Sequence, residues 1–364
     1  MKTIHDLPTP ALLLDLDVLE TNLRRMAART RALGVALRPH IKTHKCVEVA
    51  ERQRALGITG LTVSTLYEAR VFADHGFDDL TWAFPVILTR LEEVRELADR
   101  VTLRLVVDSP EAIAALEGLG RSLHVWLKVD CGYHRAGVDP ESPAALELAW
   151  RLAESSSLQF DGILTHSGHA YHGPTRTEVA AAAAEERGVM AGFAELLRQE
   201  GIAVPGVSVG STPALAVVET LDGVTEARPG NYCFHDFAQV SLGTCGVRDC
   251  AVTVLASVVS HRPGDGRSVV DAGALALSKD TGPGRPEHPT LGEIFADYGA
   301  GVLEEEARLV NLSQEHGILS APRPVGSRVR ILPNHSCLTA AQFDEYTVVR
   351  DEEVVDRWKI WRGR

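Results

Sequence analysis

A chain of 364 residues, 45% hydrophobic and 24% charged, can bury one large core and a second, smaller one, as an ordinary globular protein does. Its formal charge of −12 argues against nucleic acid and anionic membrane as partners. The first residues lack the apolar core of a signal peptide, no apolar run approaches the roughly 20 residues of a membrane span, and six cysteines lie without framework spacing, so reduced thiols in a cytoplasm are the expected setting.

Residues 11–17 read as a short apolar strand, with Asp17 placed to cap a helix that runs to about Leu33, before the stop signal Gly34. Strand-like runs then recur at Leu37–Thr43, Gly60–Thr65, Asp79–Phe84, Leu103–Ser109, His124–Asp130, Phe160–His166, Val207–Thr212 and Val224–Gly230. Helical patterns separate most of them, among them Thr65–His75, Leu91–Arg100, Pro110–Leu119 and the alanine-rich Thr177–Gln199, whose run 180–184 reads as an exposed helix. Eight strands with helical crossovers predict a (β/α)8 TIM barrel. A doubly wound sheet is the alternative, but the glycine-rich fingerprint it needs after its first strand is absent. From about Phe237 the pattern becomes that of an antiparallel β-rich domain. Ala251–His261 and Arg267–Asp271 flank the hairpin signal Pro263-Gly264-Asp265-Gly266, and the strands Ser327–Leu332, Tyr346–Arg350 and Val354–Trp361 follow. The expected domains are 10–236 and 237–364, with residues 1–9 candidates to join the second.

In such a barrel chemistry gathers at the C-terminal ends of the strands. Lys42 ends the first, and strand alternation would set it on one face with His40 and His44, with Lys45 opposite. A lysine buried there has a lowered pKa and serves as a Schiff-base amine, with a solvated lysine at a strand end as the alternative. Asp130–Arg135 follows the fifth strand and Thr165–His169 the sixth. Gly210-Ser211-Thr212-Pro213 follows the seventh and Arg228-Pro229-Gly230-Asn231-Tyr232 the eighth. Small residues and hydroxyls after strands seven and eight suit a phosphate. Together with Lys42 on the neighbouring first strand they would hold both ends of pyridoxal phosphate. In the second domain, a continued strand after Leu332 would put His335 and Cys337 on one face, an imidazole–thiolate pair suited to zinc with positions left for water or substrate. A buried histidine and an inert buried cysteine fit the spacing equally well.

Arg38–Lys45, Asp130–Arg135, Gly210–Pro213, Arg228–Tyr232, Asp271-Ala272-Gly273 with Ala276-Leu277-Ser278, and Pro333–Cys337 together resemble the D-serine dehydratase and D-threonine aldolase group of metal-activated, alanine-racemase-type pyridoxal phosphate enzymes. The resemblance implies a homodimer, pyridoxal 5'-phosphate, and a divalent metal, zinc first with manganese and magnesium as alternatives. It implies Lys42 as the Schiff-base lysine, Arg135 near the cofactor's phenolic oxygen and His166 packed on its ring. Gly210, Ser211, Thr212, Gly230 and Asn231 match the phosphate loops. Arg228 falls opposite the pyridine nitrogen, with Tyr171 its competitor, and Tyr232 supports the phosphate or packs. His335 and Cys337 match the metal pair. D-Threonine aldolases often carry aspartate at the second metal position and a phosphate loop without Ser-Thr-Pro. The implied activity is therefore a lyase of D-3-hydroxy amino acids, foremost a D-serine or D-threo-3-hydroxyaspartate dehydratase, with aldol cleavage as the alternative. More distant readings are a non-catalytic pyridoxal phosphate carrier and a barrel metal hydrolase that uses His40, His44, His166 and His169.

Overall fold

The computed structural model describes residues 2–173, 175–262, 264–281 and 290–364, and the chain divides into two compact units. One comprises Met26–Lys42, Gln53–Gly230 and Gly363–Arg364. It holds eight parallel strands: β1 (Ala36–Leu37), β2 (Leu61–Val63), β3 (Asp79–Pro85), β4 (Thr102–Val107), β5 (Leu123–Lys128), β6 (Leu158–Leu164), β7 (Gly206–Val209) and β8 (Glu226–Ala227). The sheet runs β1-β8-β7-β6-β5-β4-β3-β2, and its end strands meet where Thr62 N–H donates to Pro39 O and Ile41 N–H to Thr62 O, each at 2.9 Å. The expected TIM-like barrel is formed. Helices Leu66–Asp74, Pro110–Glu117, Pro143–Glu154 and Arg176–Gln199 return the chain between strands. Each starts at a serine or threonine (Thr65, Ser109, Ser142, Thr175) whose hydroxyl accepts an N–H of the first turn.

Most strands stop short of the polar clusters, which lie in loops. The first departs furthest from expectation, because it pairs only at Ala36 and Leu37 before Pro39, which has no N–H to donate, and residues 41–44 form a turn. Strand alternation therefore does not order His40, Lys42, His44 and Lys45. The long helix starting at Leu16 is capped by Asp15, whose Oδ1 accepts Val18 N–H at 3.0 Å, and not by Asp17. The alanine run is not an exposed face either, since Ala182 and Ala183 are buried.

The two-residue period stacks the barrel interior in layers. Val106, Trp126 and Leu164 pack as one layer, and Lys128 and His166 follow two residues along the same faces. Below them the usual branched apolar residues give way to ion pairs. Arg38 holds Asp79 (2.9 Å) and Glu226 (2.5 Å), while Arg104 joins Asp79 (2.9 Å) to Asp161 (2.5 Å). Any side chain at Gly60 would collide with the Arg38 guanidinium. Replacing Arg38 with alanine would leave buried Glu226 without its ion-pair partner and Asp79 with Arg104 alone, so we expect a stability loss of about 3–5 kcal/mol in urea unfolding. A loss below about 1 kcal/mol would mean that these charges remain solvated.

The other unit comprises Met1–Arg25, Thr43–Arg52 and Asn231–Arg362. Its nine-stranded sheet runs Arg267–Val270, Gly317–Leu319, Val302–Leu312, Glu293–Asp297, Arg328–Leu332, Val252–Arg262, Ala11–Asp15, Glu345–Arg350, Glu353–Lys359, and Arg267–Val270 pairs again with Val252–Arg262. That last pairing is the expected hairpin, although its turn residue Pro263 lies outside the described residues. The strands at 293–297, 302–312 and 317–319 are additional to those expected from the sequence. The strand Arg328–Leu332 does not continue to Cys337: a short helix, Ser336–Ala340, starts instead, with His335 at its N-cap. Among the described residues, no helix is long and apolar enough to cross a membrane.

Candidate active site

In the barrel unit, the loops after β1, β5, β6, β7 and β8 carry the residues singled out in the sequence. Lys42 is half-buried in the turn after β1, and its N–H donates to His40 Nδ1 at 3.5 Å. His166, two residues past β6, donates from Nδ1 to Gly210 O at 3.0 Å, which leaves Nε2 as the acceptor nitrogen. Burial, and next to it the charge of Lys42, hold His166 well below the ordinary imidazole value, so the ring is neutral. The Lys42 charge thus reaches His166. Tyr133 turns its ring edge-on to His166 at 6.4 Å and receives the Arg135 guanidinium at 5.0 Å. Arg135 is itself exposed.

Arg228, following β8, is 5% exposed and donates to Ser208 Oγ and Thr165 O. Burial lowers its pKa to about 10, against the pull of Glu226 and Glu186. Tyr171 ends the short turn Gly168–Tyr171 after β6 and is half-buried. Gly210 has φ +120°, and a Cβ there would sit 3.1 Å from Arg228 N. Ser211 Oγ lies 3.2 Å from Ser167 Oγ, and Thr212 is fully buried. Gly230, half-buried, ends the long segment of this unit. An amine beside a neutral imidazole, an arginine fixed in the interior and a small-residue loop with two hydroxyls suit an aldehyde cofactor that carries a phosphate.

In the other unit, His335 Nδ1 lies 2.8 Å from Asp280 Oδ2, and Cys337 Sγ lies 3.2 Å from Thr43 Oγ1. Burial would lower His335, but the Cys337 thiolate and the Asp280 carboxylate raise it to about 11. Burial likewise opposes ionisation of Cys337, yet His335 and Thr43 hold its thiol below the usual value. Imidazole and sulfur thus each favour the other's charged form, and a carboxylate on Nδ1 leaves Nε2 as the ring nitrogen for a metal, as it does in histidine–metal sites. Among the described residues no three of His, Cys, Asp and Glu are grouped to hold a metal, so the pair stands as two donors and a multi-histidine hydrolase centre is not formed. Asn231 Nδ2 donates to Asp236 Oδ2 (2.6 Å) and Ser336 Oγ (3.0 Å) and lies 3.8 Å from Cys337 Sγ. Its side-chain nitrogen is thus engaged at the Ser336–Cys337 turn. Tyr232 is 1% exposed.

The sequence reading missed four residues. Lys128 ends β5, where burial and then Arg228 lower its pKa to about 8. Strand parity with Trp126 marks it, once the end of β5 is known. Glu186 is buried on the alanine-rich helix, Asp236 accepts both Asn231 and Ser336 N–H (2.9 Å), and Asp280 orients His335. Nothing local in the sequence distinguishes these three carboxylates from surface ones.

The family described as alanine racemase, N-terminal domain, matches residues 14–236, and a serine dehydratase domain matches 251–349. The D-threo-3-hydroxyaspartate dehydratase of Delftia sp. (strain HT23) is 39% identical over 384 residues, 99% of each chain. Its solved structure superposes with a TM-score of 0.94 at 37% identity over all of both chains. A cysteine-to-alanine variant of a D-threo-3-hydroxyaspartate dehydratase, solved in a metal-free form, gives a TM-score of 0.93 at 38% identity, covering all of both chains. The D-serine dehydratase of Dictyostelium discoideum is 34% identical over 98% of this chain and 97% of its own. The D-threonine aldolase of Arthrobacter sp. is 32% identical over 97% of this chain and 92% of its own.

Proposed function

We propose that this chain, which belongs to the alanine racemase-type family of pyridoxal phosphate enzymes, is a metal-dependent lyase that dehydrates a D-3-hydroxy amino acid, D-serine or D-threo-3-hydroxyaspartate, to an oxo acid and ammonia. Lys42 would hold the cofactor aldehyde and, once released by the substrate amine, take the Cα proton. His166, held neutral with its pKa well below the ordinary imidazole value, is too weak a base to compete for that role. His166 would pack on the cofactor ring, and Arg135 would stand near the phenolic oxygen. Arg228 is assigned to the pyridine nitrogen in preference to Tyr171, because two acceptors fix it in the interior. The hydroxyls of Ser211 and Thr212, the space at Gly210 and Gly230, and the main-chain N–H of Asn231 would receive the phosphate, with Tyr232 packed behind them. His335 and Cys337 would hold a divalent metal, zinc before manganese or magnesium, with Asp280 setting the imidazole. When bound, pyridoxal phosphate delocalises charge from Cα, and the metal polarises the β-hydroxyl, a poor leaving group without help.

The observation that supports dehydration is the donor pair. By the resemblance, Cys337 stands where many aldolases carry aspartate, and His335 and Thr43 hold its thiol below the usual value. A cytoplasmic homodimer, with a barrel at 10–236 and a metal-site domain at 237–364, completes the reading. Purified enzyme with pyridoxal phosphate and zinc would be given D-serine, D-threonine and D-threo-3-hydroxyaspartate in turn. We expect oxo acid and ammonia. Glycine and an aldehyde as the main products would make it an aldolase.

A further inference from the structure

The helix Arg176–Gln199 docks through Val179, Ala182, Ala183, Glu186, Met190, Phe193, Ala194 and Leu197, a stripe at helical spacing that is apolar except for one carboxylate. Glu186 is 2% exposed, and a bare carboxylate on such a face is costly unless it is hydrogen-bonded. A single oxygen, Oε1, accepts two backbone N–H groups: Ser167 at 2.9 Å and Gly210 at 3.0 Å. These amides belong to different loops, one after β6 and one after β7. Gly210 is then held at both its polar atoms, since its carbonyl accepts His166 Nδ1–H at 3.0 Å. Gly210 also sits at φ +120°, a conformation open to glycine and closed to most other residues.

We propose that Glu186 is a positioning residue for the cofactor. Through Gly210 it sets the Gly210–Thr212 loop for the phosphate, and through the same residue it fixes the tautomer and direction of the His166 ring. The inference rests on the reading that this loop takes the phosphate. A carboxylate that merely docked the helix would have no reason to bond two loops through one oxygen. Glu186 needs no role in proton transfer. Its work is finished before substrate arrives.

Two conservative variants separate reach from charge. Glu186→Gln keeps an oxygen at the same place without the charge, and Glu186→Asp keeps the charge but falls one methylene short. Full-length cofactor-free protein of each kind would be titrated with pyridoxal 5'-phosphate and with pyridoxal, which lacks the phosphate, by absorbance and induced circular dichroism. Thermal unfolding of each cofactor-free protein would run alongside. We expect Glu186→Asp to weaken pyridoxal phosphate about tenfold and pyridoxal about twofold or less, as loss of one or two buried amide bonds implies. Glu186→Gln should stay within about threefold of the parent for both and keep its dichroism. Equal weakening of both aldehydes in Glu186→Asp overturns the proposal, because helix docking alone would do that. So does an unchanged affinity for pyridoxal phosphate, or a Glu186→Gln protein as weak as Glu186→Asp. If the parent itself fails to prefer pyridoxal phosphate over pyridoxal, the phosphate-loop reading fails, whatever the variants do.

Discussion

Lys42→Ala is expected to abolish covalent attachment of pyridoxal phosphate and to lower kcat by at least about a thousandfold, while Lys45→Ala leaves attachment intact. Strand alternation does not separate the two lysines, because residues 41–44 are a turn. Their surroundings do. The Lys42 charge reaches His166 and holds that imidazole down, whereas Lys45 belongs, with Trp361, to the other unit, has φ +49°, and its carbonyl accepts Trp361 N–H at 2.7 Å. Borohydride would trap the cofactor on its lysine, and peptide mapping would then read the position. A pyridoxyl group on residue 45 would sink the assignment.

The metal carries the second large effect. Chelation should cut lyase turnover by about a hundredfold or more and leave the cofactor's visible band in place, with zinc restoring activity. The reason is chemical: hydroxide is a poor leaving group, whereas attachment of an aldehyde to Lys42 needs no Lewis acid. His335→Ala should reproduce the chelated state, because sulfur alone is a weak site. Asp280→Asn should weaken zinc about ten- to a hundredfold, since the imidazole would lose the carboxylate that orients it. Cys337→Asp should shift preference toward manganese, as a hard oxygen replaces a soft sulfur. Metal titrations scored for ammonia and for aldehyde would decide these points. Full turnover of D-serine by chelated enzyme, or an unchanged metal preference in Cys337→Asp, would leave the pair as ordinary packing.

The barrel could be read from sequence because its signals are local. Most strands lie in short apolar runs, four returning helices open on a serine or threonine that can satisfy a first-turn N–H group, and the order of elements in a parallel barrel follows the order of the chain. The polar clusters at Lys42, Arg135, His166, Gly210–Thr212 and Arg228 could be read for the same reason, since a strand's end is where its loop begins. The helix at Ser336 could not, nor the strand at Val302–Leu312. Those depend on partners such as Glu293–Asp297 and Asp236, which are distant in the chain.

The hidden carboxylates show the difference most plainly. Glu186, Asp236 and Asp280 look like any surface acid, because nothing in a carboxylate's immediate neighbours reports whether water surrounds it. Tertiary packing removes that water from Glu186 and Asp236, leaves Asp280 half-buried, and supplies all three with N–H, O–H or imidazole donors. Residue chemistry and spacing thus set which groups can react. Only the folded chain decides which acids are buried, what they hold, and hence in which direction the reacting groups point.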